Sequence, residues 1–211
     1  MTGKSNGSEI NGYVLAGGAS SRFGRDKGLV ELAGKTALQR ACELVGQVAG
    51  SVQVVALAER YPDLRALMVA DRWPGEGPLG GIITALRATV SDKKGAAWNL
   101  IVSCDMPFLT PEWLEYLCTS ALASDAETVV PRSEHGLEPL CACWRTSAAD
   151  SLQERFEDGV RKVTEAMKRL RVEILDETHW KRFDSAGRLF WNMNTPQDYQ
   201  EALQMWRAEQ K

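Results

Sequence analysis

The chain has 211 residues, of which 44% are hydrophobic and 25% charged, and a formal net charge of −3. That length suits one domain with a substantial core, and the slightly acidic balance argues against a nucleic acid or an anionic membrane as main partner. No apolar run reaches the length of a membrane span, and the polar residues 1–9 lack the apolar centre of a signal peptide. The expectation is a cytoplasmic protein with a frayed tail at 1–9 and a single domain over 10–211.

Residues 13–15 are a short apolar run that stops at Gly17 and Gly18, as a buried strand feeding a glycine turn does. Thr36 caps an expected helix to about residue 48, with Leu38, Ala41, Cys42 and Val45 on one face. Strands are expected at 52–57 and 67–70, the second ending at Asp71 and a Pro/Gly-rich loop. After Gly80 and Gly81, residues 82–90 have helical spacing, and 100–103 read as a strand closed by Cys104-Asp105-Met106-Pro107. Thr110-Pro111-Glu112 starts a helix: a hydroxyl cap, proline at the first helical position, then an acid in the first turn. Strands at 128–131 and 140–144, helices at 147–157 and 159–170, and a strand at 172–175 follow. His135 and Gly136 are expected only to turn the chain, and Thr195-Pro196 launches a last helix. Strands alternating with helices predict an α/β domain, a mostly parallel sheet flanked by helices.

Five cysteines, scattered and without a CxxC pair, accompany only two histidines, so no zinc-site spacing exists. They are expected to be small buried residues of a reducing compartment. The tryptophans have no regular spacing and read as core, except Trp73, which adjoins Asp71 in a loop.

The segment LAGGASSRFGRDK at 15–27 follows the first strand, where open α/β sheets place their ligands. Gly17 and Gly18 let backbone N–H groups approach a phosphate chain, Ser20 and Ser21 add donors, and Arg22, Arg25 and Lys27 add charge. A triphosphate needs both kinds of group; the alternative is a glycine turn with solvated charges. The spacing is not GxGxxG, and Gly34-Lys35-Thr36 fails as a Walker A ending because Leu29 stands where glycine is required.

Asp105 ends a strand, where one carboxylate suffices for a Mg²⁺ that takes its other ligands from substrate oxygens; alternatively it caps the turn before Pro107. Asp71 ends another strand, as a ligand contact or an Asx turn. Residues 77–81, GPLGG, bring backbone close and open a helix whose N-terminus favours anions; the alternative is loop punctuation. Asn192 and Asn194 both donate and accept, which suits a heterocycle's edge, or they stabilise their loop. Arg132 and the pair Arg161-Lys162 are cations that an acceptor phosphate or solvent would take.

LAGGASSRFGRDK resembles the LAGGxSxRxGxDK signature of molybdenum cofactor guanylyltransferases. GPLGG at 77–81, CDMP at 104–107, EPL at 138–140 and NMNTP at 192–196 arrive in that family's order, so the similarity spans nearly the whole chain. The resemblance implies a single-domain, Rossmann-like nucleotidyltransferase fold. It further implies transfer of GMP from GTP to molybdopterin with Mg²⁺, and transient contact with proteins that supply and receive the cofactor. By that carry-over Leu15, Ala16, Gly17, Gly18, Lys27, Asp71, Gly80 and Asp105 contact GTP, with Asp105 as the metal ligand. Arg22, Lys27 and Asp105 act in catalysis, and Asn192 and Asn194 lie near the acceptor. One departure concerns the base: some members carry an asparagine after the second strand, where this chain has Ala56 and Leu57. A cytidylyltransferase, a sugar-phosphate nucleotidyltransferase and a non-catalytic nucleotide-binding regulator are the alternatives.

Overall fold

In the computed structural model, which describes residues 9–17, 26–61, 67–92, 95–184 and 186–209, the first apolar run is strand β1 (Ile10–Leu15). A minimal hairpin, β2 (Glu31–Leu32) and β3 (Lys35–Thr36), turns through Ala33 and Gly34 at positive φ. Helix α1 (Ala37–Gly46) opens on a reciprocal cap: Gln39 N donates to Thr36 Oγ1, and Thr36 N to Gln39 Oε1. Next come β4 (Ser51–Ala56), β5 (Leu67–Ala70), α2 (Pro78–Ser91) and β6 (Trp98–Ser103). Helix α3 (Pro111–Ala123) starts at Thr110, whose hydroxyl accepts from Trp113 N. The chain continues through β7 (Thr128–Ser133), β8 (Gly136–Leu137), β9 (Cys141–Arg145), α4 (Ala149–Glu157) and α5 (Val163–Ala166). It ends with β10 (Val172–Leu175), α6 (Glu177–Trp180) and α7 (Pro196–Glu209).

The main sheet runs β10-β7-β9-β6-β1-β4-β5, with β8 paired to β7. All its pairings are parallel except those that β9 makes with β6 and β7, and the β7–β8 hairpin. Alternate side chains of each strand enter opposite cores. Ile10 and Val14 of β1 join Leu38 and Val45 of α1 and Trp113 and Leu117 of α3. Tyr13 and Leu15 join Ile82, Ile83 and Leu86 of α2 with Leu152 and Phe156 of α4. With both faces covered, residues 13–15 of β1 and 100–102 of β6 are apolar and buried, which explains the continuous runs in the sequence. A third cluster packs α7 through Ala202 onto Val30, Leu32, Phe108 and Met193.

The expected α/β architecture is observed, and Cys104, Cys118, Cys141 and Cys143 are buried free thiols with Cys42 half-buried. Three expectations change. Helix α2 begins at Pro78, ahead of the glycine pair, because Gly80 and Gly81 are contact points inside it. A Cβ on Gly80 would stand 3.2 Å from Trp73 Cβ, and one on Gly81 3.3 Å from Leu15 Cδ1. The helix expected at 159–170 contracts to α5 and a 3-10 turn, since Gly159 at φ 90° ends the preceding helix. His135 does turn the chain, with Glu134, but into the β7–β8 hairpin, and Gly136 is the first residue of β8. Residues 1–8 of the expected tail lie outside the described residues.

Candidate active site

Strand β1 has β4 on one side and β6 on the other, so the chain reverses its direction of travel across the sheet at β1. A crevice at the carboxyl ends of the strands follows from that topology. It is a cleft of about 180 Å³, lined by Leu15 from β1, Val55 from β4, Asp71 after β5, and Ser103 and Asp105 at the end of β6. Gly17, Gly75, Gly77 and Gly81 form its wall with Pro78 and Leu140. Arg22 and Gly18 lie outside the described residues, as do Ser20, Ser21 and Arg25.

Lys27 reaches the cleft from a 3-10 turn, Lys27–Leu29, capped by the Asp26 carboxylate, which accepts from Gly28 N at 2.9 Å. Its ammonium lies 3.1 Å from Asp105 Oδ2 and donates to Asn194 Oδ1 at 2.8 Å. Three sequence-predicted residues, separated by as many as 167 positions, thus meet at one nitrogen. The other Asp105 oxygen accepts from Ser103 Oγ at 2.6 Å, and the Asp105 carbonyl accepts from Met193 N at 2.9 Å. Asp105 therefore does not cap its turn through the side chain; both oxygens belong to the cleft's polar network.

Asp71 divides its roles between its two oxygens. Oδ1 accepts from Trp73 N at 3.0 Å, an Asx turn, and from Thr84 Oγ1 at 3.4 Å. Oδ2 faces Gly17 across the cleft, so that a Cβ on Gly17 would approach it to 3.4 Å. Leu15 lines the cleft and Ala16 is buried at the end of β1. Gly80 does not line the cleft with its Cα, which faces Trp73. What it offers is the N–H of an α-helix first turn whose cap, Gly77, makes no side-chain hydrogen bond. Trp73 packs on Phe156, ring centroids 5.1 Å apart, and so braces the loop rather than entering the cleft.

The asparagines separate. Asn194 joins Lys27, while Asn192 Nδ2 donates to its own loop at Phe190 O, 3.0 Å away. Asp198 holds that loop, accepting from both Asn194 N and Thr195 N at 2.8 Å, and Thr195 Oγ1 accepts in return from Asp198 N. Arg161 is committed to Glu76 Oε2 at 2.8 Å and Phe156 O at 2.7 Å, which ties α4 to the loop after β5. Arg132 stands exposed at the end of β7. Glu138 accepts from Ser133 Oγ at 2.6 Å, and burial pushes its carboxyl pKa up.

Ser103, Tyr61 and Asp26 were not among the candidates. Ser103 ends β6 and Asp105 follows in the turn two positions later, so their contact is set by the turn and not by strand alternation. Asp26 adjoins Lys27, but the Tyr61 hydroxyl that reaches it comes from 35 positions away.

A metal would fit Asp105. Among the described residues no group of three or more His, Cys, Asp or Glu gathers to hold an ion, so a hard cation would need substrate oxygens beside that carboxylate.

The model of the MobA-like NTP transferase domain matches residues 12–172. A probable molybdenum cofactor guanylyltransferase of Chloroflexus aggregans is 35% identical over 196 residues, covering 90% of this chain and 91% of that one. A molybdenum cofactor guanylyltransferase of Desulfosudis oleivorans is 28% identical, covering 92% and 94%. Among solved structures, molybdopterin-guanine dinucleotide biosynthesis protein A of Archaeoglobus fulgidus superposes with a TM-score of 0.80 at 28% identity, covering 94% and 99%.

Proposed function

We propose a reaction from one premise: the chain belongs to the family of MobA-like NTP transferase domains. The reaction is transfer of GMP from GTP to the phosphate of molybdopterin. A bond forms between an acceptor phosphate oxygen and the α-phosphorus, the bond from that phosphorus to the β-phosphate bridge breaks, and pyrophosphate leaves. The observation that carries this reading is the meeting of Lys27, Asp105 and Asn194 at the carboxyl ends of the strands. A cation donor, a carboxylate and an amide from the acceptor-side loop are the groups that must act on one phosphorus.

An acceptor phosphate monoester is largely ionised near neutral pH, its second pKa being about 6, so it needs no protein base. His135 pairs with Glu134 and His179 with Asp176, and neither lines the cleft at Asp105. Catalysis then rests on positioning and charge neutralisation. Lys27 neutralises the leaving phosphates, with Arg22 assigned the same task by the family resemblance. Leu15, Ala16, Gly17, Gly18, Asp71 and Gly80 shape the nucleotide side. Asp105 would hold Mg²⁺, whose charge, when bound, offsets that of the α-phosphate.

On the acceptor side, the loop that ends at Asn194 also carries Phe190 and Trp191, which line a cavity of about 500 Å³ together with Arg132. Arg132, exposed on that cavity, is a better candidate cation for the acceptor than Arg161, which Glu76 engages. No described helix is long and apolar enough to cross a membrane, and we place the protein in the cytoplasm, where proteins that make and receive the cofactor would meet it. Position 56 offers the base only a buried methyl, and its carbonyl already accepts from Asp71 N at 3.1 Å. Guanine selectivity must therefore come from other groups.

The test is incubation with each of the four nucleoside triphosphates, Mg²⁺ and molybdopterin, measuring pyrophosphate and dinucleotide. GTP is expected to outperform the others by at least about a hundredfold in kcat/KM. Preference for CTP, or GTP binding without pyrophosphate release, would reject the guanylyl transfer.

A further inference from the structure

We propose that Tyr61 is a positioning residue for the triphosphate: its hydroxyl pins the end of β1 to the turn that carries Lys27. This rests on the transfer reaction proposed above and names a residue that sets the geometry of its nucleotide grip. The phenol is buried, 3% exposed, and its O–H faces two acceptors. One is the Ala16 carbonyl at 3.0 Å and the other Asp26 Oδ1 at 2.8 Å. These acceptors stand on either side of residues 18–25, so a single proton spans the two approaches to the nucleotide. The same Asp26 oxygen accepts from Gly28 N at 2.9 Å and closes the Lys27 turn, while Arg60 lies 3.9 Å from its other oxygen. Lys27 is thereby held where its ammonium meets Asp105 at 3.1 Å.

Gly28 makes this arrangement sterically possible. A Cβ there would come within 2.8 Å of the Tyr61 hydroxyl, and within 3.3 Å of the ring and of Asp26. Burial, then the hydrogen bond and charge of Asp26, push the phenol's pKa up. The group therefore remains an O–H donor at any ordinary pH. A donor bridging a carbonyl and a carboxylate makes one charge-assisted bond, and phenylalanine removes it while keeping the ring's packing.

A hydroxyl that served only the fold would, on removal, lower Tm and leave nucleotide affinity alone. A pin on the grip would, on removal, weaken GTP binding and spare the acceptor. The experiment titrates GTP with Mg²⁺ calorimetrically, without acceptor, into wild type, Tyr61→Phe, Gly28→Ala and the double variant, with kcat, both KM values and Tm alongside. Tyr61→Phe is expected to raise the GTP Kd about tenfold, with the acceptor KM within about twofold. Gly28→Ala is expected to raise it comparably when introduced alone and little further when added to Tyr61→Phe, where the colliding oxygen is gone. A GTP Kd for Tyr61→Phe within about twofold of wild type overturns the pin, whatever happens to Tm, and so do additive effects in the double variant. Should Tyr61→Phe not fold, an unchanged Kd in Gly28→Ala overturns it equally. Wild type that binds no nucleoside triphosphate overturns both this inference and the transfer reaction; binding with an unaffected Tyr61→Phe overturns the pin alone.

Discussion

At Asp105 each carboxylate oxygen has its own partner, the Lys27 ammonium on one and the Ser103 hydroxyl on the other. Asparagine in its place preserves volume and one acceptor oxygen for Ser103, but removes the charge that balances Lys27 and would hold the metal. Asp105→Asn is therefore predicted to lower turnover by at least about a hundredfold while Tm stays within about 4 °C of wild type. Pyrophosphate release and a thermal melt check it, and near-normal turnover would sink the metal assignment. Lys27 was legible as a cation of the glycine-rich loop that follows the first strand, and Asp105 as an acid following another strand, where ligands sit. Their mutual contact and the role of Tyr61 were not, since those depend on groups brought together across 78 and 45 positions. Asn192 shows the converse: an amide with the right chemistry spends its donor on a neighbouring carbonyl.

Among the elements, local chemistry located the helix starts well. Thr36, Thr110 and Thr195 each accept from the backbone N–H three residues on, as their sequence contexts predicted. Helix α1 packs against β1 and β4 and leaves the cleft to other elements, so its cap separates stability from activity. Thr36→Ala is predicted to cost about 1 kcal/mol, a fall in Tm of about 2–4 °C for a chain of this size, with the GTP KM unchanged. Circular dichroism melts beside a kinetic assay check it, and a shifted KM would mean that α1 sets the position of the Lys27 turn. The glycine pair of α2 misled the boundary for a physical reason. Glycine is a poor helix former, yet at 80 and 81 the helix lies so close to Trp73 and Leu15 that a Cβ would stand only 3.2 and 3.3 Å from them. The two-residue strands β2, β3 and β8 lack the length for a period to show.

Across the whole molecule, the sequence pattern predicted a mostly parallel sheet but not the reversed strand β9 between β6 and β7. Cys141–Arg145 is buried on both faces like its parallel neighbours, and direction leaves no trace in composition when both faces are apolar. That placement brings Leu140 O onto Ser103 N at 2.8 Å and so adds the β9 side of the sheet to the cleft wall. The opposite flank comes from the chain's last helix. α7 is anchored by Ala202 in the third core cluster and by Tyr199 OH on Glu31 O at 2.9 Å, next to the Lys27 turn in sequence. From its first turn Asp198 grips Asn194 N and Thr195 N, and Asn194 in turn grips Lys27. The far end of the chain thus positions the loop that brings Asn194 to Lys27, the side proposed for the acceptor, while the Tyr61 pin is proposed for the nucleotide side. Asp198→Ala removes two charge-assisted bonds from the 192–195 loop and spares the Ala16–Tyr61–Asp26 contacts. It is predicted to raise the acceptor KM about fivefold to tenfold and to leave the GTP Kd, measured without acceptor, within about twofold. Steady-state kinetics with each substrate varied in turn make the distinction. A GTP Kd that rises as much as the acceptor KM would show that Asn194 serves Lys27 before it serves the acceptor, and would move that residue to the nucleotide half of the site.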